Sequence, residues 1–408
     1  MHVLRMRPFA ALALVAAFAA VSLTGSTAAA ATGQAGARPA HQSDSAKCPA
    51  SSELRNSLGK ASSQITQADH KGAIETLTPL SSQNCDARVS LLLAAAFEAG
   101  GQGSEAQQTL ERAHSVWPNN NSVAASLARQ FMIVGQADKA AHALARFHPT
   151  ATTPQQEMDE AVVVFIAAHQ LIQAHAFAEI DFKMYPSVHT LIMLANTLQL
   201  EGRYPDVNRL LGDKRSTYSD SPEFFITLAE SEFDAGIYDS ARQDLERSIA
   251  LNQNLYQAHY LLANTLVKLN DGERATAEYH RAIDLAPNQP RTYFQLAMLV
   301  RSRQEEAEEQ RILEQALGAD DHYAPAHAEM GRILLEAHHP AEALDHLTSA
   351  IQYNPRSEQA YFLLARAYAE LGEKDKSNET VKRLVAVRKA NRPDSGSKST
   401  NRPDRDTP

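Results

Sequence analysis

From about residue 54 to residue 391 apolar side chains return every three or four positions, in runs about a dozen residues long separated by short polar breaks. The stretch "YQAHYLLANTLVKLNDGERATAEYHRAIDLAPNQ" (256–289) shows the pattern. Tyr260, Leu262, Ala263, Leu266 and Leu269 fall on one face of a helix, and a second amphipathic run follows the polar "NDGE". Pro287 closes that second run, as Pro118 and Pro355 close others, because proline lacks an N–H and its ring clashes with the preceding turn. Laid over 324–357, the stretch matches Leu262-Ala263 with Met330-Gly331, Leu266 with Leu334, Ala275 with Ala343, Tyr279 with Leu347 and Pro287 with Pro355. Half that offset aligns Leu296-Ala297, so the period is thirty-four residues and each period predicts two helices.

Neither helix of a pair buries its apolar stripe alone, so stacking in one direction is the expected solution. A small residue after Leu or Met recurs at Ala195, Ala229, Ala263, Ala297, Gly331 and Ala365. It is expected to face a second small residue, such as Ala275 opposite Ala263, so that two backbones approach closely. The same marks survive toward the amino terminus at Leu93-Ala94 and Leu127-Ala128, and these two units fit well. The units at 54–86 and 154–187 fit poorly, and the turn of the latter reads as displaced. Glu309 occupies a small-residue position, which predicts a shifted second helix there.

This spacing and residue pattern resemble the tetratricopeptide repeat, in an exported bacterial type. The resemblance implies an all-α fold, an α-solenoid superhelix of about ten helical hairpins starting near 54, 87, 121, 154, 188, 222, 256, 290, 324 and 358. Residues 53–187 would hold the degenerate hairpins and 188–391 the well-matched ones. In that family the first helix of each unit lines a concave groove. Carried onto this chain, the groove positions include Asn196, Tyr260, Asn264, Arg291, Phe294, Arg301, Arg332, Phe362 and Arg366. Arginine pairs bidentately with carboxylates and asparagine can satisfy an extended backbone, so an extended, acidic protein segment is the expected ligand. Pairing of these arginines with neighbouring glutamates inside the solenoid is the alternative.

The amino terminus differs in kind. Arg5 and Arg7 precede an uncharged run, Phe9 to Leu23, and small residues follow, so 1–31 reads as a signal peptide cleaved near Ala29 to Ala31. That run is shorter than the roughly 20 residues a span needs, and no membrane span is expected in the mature chain. Residues 32–52 read as a polar linker and 392–408, with "NRPD" twice, as a disordered tail. An exported chain, periplasmic or secreted, can keep disulfides. Cys48 and Cys85, its two cysteines, bracket the first predicted hairpin and are expected to pair as a staple; two unpaired small hydrophobes are the alternative.

The 44% hydrophobic and 6% aromatic content is that of a helical globular chain, and a formal net charge of −9 argues against nucleic acid as a partner. No phosphate-binding glycine loop, zinc-protease motif or nucleophile elbow occurs, and the repeats leave no stretch for a catalytic domain, so no enzyme activity, catalytic residue or cofactor is expected. His322, His327, His338, His339 and His346 cluster, but none share one helical face at ligand spacing, so they read as solvated and no metal is expected. The acidic run at 305–310 reads as a helix start and Trp117 as a packing residue. The function expected is a non-enzymatic scaffold or adaptor of the cell envelope that binds other proteins. The alternative is a binding subunit for an anionic glycan or cell-wall polymer.

Overall fold

The computed structural model describes residues 48–391. The expected signal peptide and cleavage site, most of the expected linker and the expected tail lie outside the described residues. The chain divides into two compact units, Met1–Ser219 and Asp220–Pro408. The first contains α1 Ser51–Thr66, α2 His70–Ser81, α3 Ala87–Ala99, α4 Gly103–Val116, α5 Asn121–Ile133, α6 Ala137–Ala143, α7 Gln155–Ala167, α8 Leu171–Met184, α9 Val188–Leu200 and α10 Tyr204–Gly212. The second contains α11 Pro222–Asp234, α12 Tyr238–Leu251, α13 Tyr256–Lys268, α14 Gly272–Leu285, α15 Pro290–Arg301, α16 Glu306–Ala319, α17 Ala324–Glu336, α18 Pro340–Tyr353, α19 Glu358–Glu370 and α20 Lys374–Asn391. Each unit is an all-α solenoid of hairpins, with no strand among the described residues.

One residue in each of the ten turns has a positive φ: Ala68, Gly101, Gly135, His169, Gly202, Gly236, Asn270, Gln304, His338 and Gly372. In nine of them the next residue donates its N–H to the carbonyl five positions back, as from Gln102 to Phe97 (2.8 Å) and from His339 to Leu334 (2.7 Å), which closes the helix end; in the Gln304 turn the Val300 carbonyl accepts from Arg303 instead (2.9 Å). Glycine supplies this conformation without a Cβ penalty, yet half of the positions are not glycine. The turn of the 155–184 hairpin is therefore in register, not displaced. His169 does there what glycine does elsewhere.

Side-chain caps start several helices. Asp69, Asp86, Asn120, Ser221, Asp271 and Ser357 each accept from a first-turn N–H, and Ser187 forms a reciprocal capping box with Thr190. Leu285 and Tyr353 end their helices two residues before Pro287 and Pro355. Inside the hairpins the recurring small residues are sealed, with Ala195, Ala229, Ala263, Ala297 and Ala275 all within 1% of full burial. In the 324–353 hairpin the space beside Gly331 is taken by Leu347. A Cβ built on Gly331 would lie 2.5 Å from Leu347 Cγ.

The Glu306–Ala319 helix is not shifted: it starts and ends one repeat after Gly272–Leu285. Glu309 keeps the small-residue position and is buried there as a carboxylate, 2% exposed. The expectation failed because a charged partner, rather than a displaced backbone, accommodates it.

Near the amino end Cys48 and Cys85 are joined, with their Cα atoms 5.7 Å apart, across the hairpin formed by α1 and α2. Trp117 packs with Ala87, Ala113 and Val123 between the second and third hairpins. Among the described residues no helix is long and apolar enough to cross a membrane.

Candidate functional site

Within the second unit the first helix of one hairpin touches the first helix of the next, α11 with α13, α13 with α15 and α17 with α19. Side chains on this face are thereby gathered into one row. Asn196 belongs to the first unit, where it is buried with its Oδ1 lacking a hydrogen-bond partner. The other eight groove positions lie in the second unit and fall into three groups.

The first group is an aromatic and polar cluster around α13. Tyr260 is fully buried and Asn264 5% exposed, so both belong to the core more than to the surface. Tyr279 Oη donates to Asn264 Oδ1 at 2.7 Å, and Asn264 Nδ2 is left buried without an acceptor. Tyr256 stacks on Tyr260 with ring centroids 5.9 Å apart and shares a 2.9 Å hydrogen bond with Thr292. The Arg291 guanidinium lies 5.5 Å from the centre of the Tyr260 ring, within cation–π range. Burial pushes the Tyr260 hydroxyl up, while Arg291 and Asn264 work against that. Phe294 meets Tyr323 edge-on at 5.9 Å, and burial carries the Tyr323 hydroxyl to about 12.

The second group is ionic. Arg332, its side chain 17% exposed, donates to Glu309, Glu329 and Glu336 at once. Glu329 also receives Arg301 at 3.0 Å and Gln359 at 2.7 Å. Burial works to raise the Glu329 carboxyl, but hydrogen bonds from Arg332 and Gln359 hold it below the usual range. For Glu309 burial wins, and its carboxyl is raised despite Arg332. Burial also works against the Arg332 charge, and its three glutamates more than restore it. Arg332 is thus committed to its neighbours, whereas Arg301 keeps 46% of its side chain exposed.

The third group is open. Phe362 is 56% exposed, and Arg366, one turn along the same face, is paired only at the helix surface with Glu370, 2.7 Å away. The structure thus brings an exposed aromatic ring and a half-exposed guanidinium together on α19.

Two stretches of the chain match family models, each described as tetratricopeptide repeat: residues 226–290 and 334–394. The chain carries tetratricopeptide repeats. No curated protein matches it in sequence. In fold it is similar to a chain in the APC/C hetero-tetramer Cut9-Hcn1, at 16% identity and a TM-score of 0.46, covering 77% of this chain and 62% of that one. It therefore spans less than two thirds of that protein. Yeast Tom70 is similar at 13% identity and a TM-score of 0.44, with 82% of this chain and 92% of that one covered. YrrB, described as a TPR protein with an unusual peptide-binding site, is similar at 14% identity and a TM-score of 0.36, covering 43% and 91%. The tetratricopeptide fold supports a protein–protein interaction scaffold, and such repeats are generally non-enzymatic.

Three specific side-chain pairings in these hairpins were not named from the sequence. Glu230, on α11, accepts from Gln257 at 2.9 Å, and burial lifts its carboxyl to about 7, with Gln257 opposing and Asp234 adding. The Glu309–Arg332 pair had a signal in principle, since a charge at a small-residue position demands a partner. His327 and His346 meet through Nδ1 at 3.0 Å. Searching for ligand spacing along single helices missed that pair, because the two imidazoles come from different helices.

Proposed function

We propose that the first-helix face of the second unit, from residue 256 to 370, is a groove that receives an extended, carboxylate-bearing segment of another protein. One observation carries the reading: Phe362 stands 56% exposed one helical turn from Arg366, a large apolar ring left in water beside a cation. Arg301, also half-exposed, extends the same face, and Arg291 adds a guanidinium beside Tyr260. Arginine and aromatic side chains together are the chemistry of energetically dominant contacts at interfaces. Arg332 drops out of the binding set, because a segment's carboxylate would have to displace three glutamates from it.

Export supplies the setting. The residues of 1–31 have the composition of a secretory signal, and the Cys48–Cys85 pair suits an oxidising compartment. These two support a place in the periplasm or outside the cell, where an adaptor of this fold would serve envelope assembly. A net charge of −9 favours a protein over a nucleic acid as partner.

The test places a photo-crosslinking residue at position 362, with a control at the exposed position 280 on a second helix. The expected result is a protein adduct at 362 alone that disappears in the Arg301→Glu/Arg366→Glu variant. An undiminished adduct in that variant refutes the acidic-segment reading. Salt-sensitive capture of purified cell-wall polysaccharide, with no protein adduct, would replace it with the glycan reading.

A further inference from the structure

The fourth residue of the first helix does the same work in three consecutive hairpins. His259 Nε2 lies 3.1 Å from the Gln253 carbonyl, Tyr293 Oη donates to the Pro287 carbonyl at 3.1 Å, and His327 Nε2 lies 2.9 Å from the Asp321 carbonyl. A carbonyl only accepts, so Nε2 of each histidine carries a proton and Nδ1 faces the second helix. What it meets there differs. His259 Nδ1 meets the Glu278 carboxylate at 2.6 Å, a partner that takes up a proton bond. His327 Nδ1, at the same repeat position, meets another imidazole nitrogen, His346 Nδ1, at 3.0 Å.

We propose that His327 and His346 form a two-imidazole clamp for a borderline divalent cation, zinc or a first-row neighbour, bound through both Nδ1 atoms. Two zinc–nitrogen bonds of 2.0–2.1 Å at a tetrahedral angle set the nitrogens about 3.3 Å apart, a few tenths from the separation in place. A bond from the remote ring N–H to a main-chain carbonyl is the usual way a ligating histidine is oriented, and His327 has it. The exposed trio Asp320, Asp321 and His322 precedes the clamp in the chain and adds negative charge to the loop that holds the Asp321 carbonyl. Ligation moves the His346 proton from Nδ1 to Nε2, so no net proton is lost, and water completes the coordination.

The experiment titrates zinc into the full chain, free of any affinity tag, against a chromophoric chelator. One equivalent is expected to bind most tightly, with affinity at least tenfold weaker in His327→Gln and in His346→Gln and unchanged in His259→Gln. Imidazole nitrogen NMR of the unmodified protein gives a second readout that needs no variant: one equivalent of zinc should move both Nδ1 resonances. Unchanged affinity in His346→Gln overturns the proposal, as do Nδ1 resonances that zinc leaves in place, which would mean a shared proton only. Affinity lost in His322→Gln but kept in His346→Gln would assign the ion to the exposed trio and overturn it equally.

Discussion

Replacing Arg332 with methionine removes the one cation that is ion-paired with Glu309 among the described residues. That carboxylate is 2% exposed, and its bond to Arg332 is the contact that compensates its burial. Glu329 is less affected, since Arg301 and Gln359 continue to donate to it. The lost contact with Glu336 counts for little, because that side chain is 48% exposed and such pairs are worth about 0–1 kcal/mol. Breaking a buried pair from one side costs about 3–5 kcal/mol, and with only one carboxylate stranded we expect the lower end, about 3 kcal/mol. The sign with pH follows from linkage. Burial already raises Glu309, and losing Arg332 raises it further, so the folded variant holds a proton that the unfolded chain releases. The deficit relative to the parent protein should therefore shrink as pH falls from 7 toward the ordinary glutamate range. Glu309→Ala restores the small residue of the other repeats, and the double variant Glu309→Ala/Arg332→Met should return to within about 1 kcal/mol of the parent. Urea unfolding followed by far-ultraviolet circular dichroism measures these differences, and amide exchange over 324–336 places them in the helix. A loss under about 0.5 kcal/mol at pH 7, or a deficit that does not change with pH, would refute the reasoning.

Other outcomes follow from the same structure. His338→Gly and Gln304→Gly should each stabilise the second unit by about 1 kcal/mol, because both residues have φ of 62°, where a Cβ costs about 1–2 kcal/mol; Gly236→Ala, at φ 79°, should destabilise it by a similar amount, read from urea midpoints. Glu230, with a folded-state value near 7 against 4.5 unfolded, makes the second unit less stable as pH rises from about 4.5 to 7 and adds no slope above that; Glu230→Gln should remove this component of the pH profile. Cutting the Cys48–Cys85 bond, whose ends are 37 residues apart, should cost the first hairpin about 3–4 kcal/mol on the chain-entropy account, measured by unfolding with and without reductant.

Much of this fold was legible in one dimension because the repeat restates itself. Leu296-Ala297 beside Leu262-Ala263 and Met330-Gly331 sets helix, period and buried face at once, and each copy corrects misreading of another. Where a copy lost its marks, the reading wavered. His169 hides a turn because a left-handed backbone is easily read from glycine and hardly at all from histidine. The candidate face was legible as a set of positions but not as a set of free groups. Asn264 and Tyr260 lie at groove positions, yet Tyr279 reaches across from the second helix and draws Asn264 into the core.

By itself, then, the sequence determined an all-α array of thirty-four-residue hairpins, because helical periodicity and proline punctuation are local properties that neighbouring residues carry. Which arginines are spoken for was decided only in three dimensions. Arg332 meets Glu309 from the preceding hairpin, and His327 meets His346 across two helices, at separations along the chain that no local rule connects. Local propensity sets the elements; the low-dielectric spaces between them decide which charges must be paired and which remain for a partner.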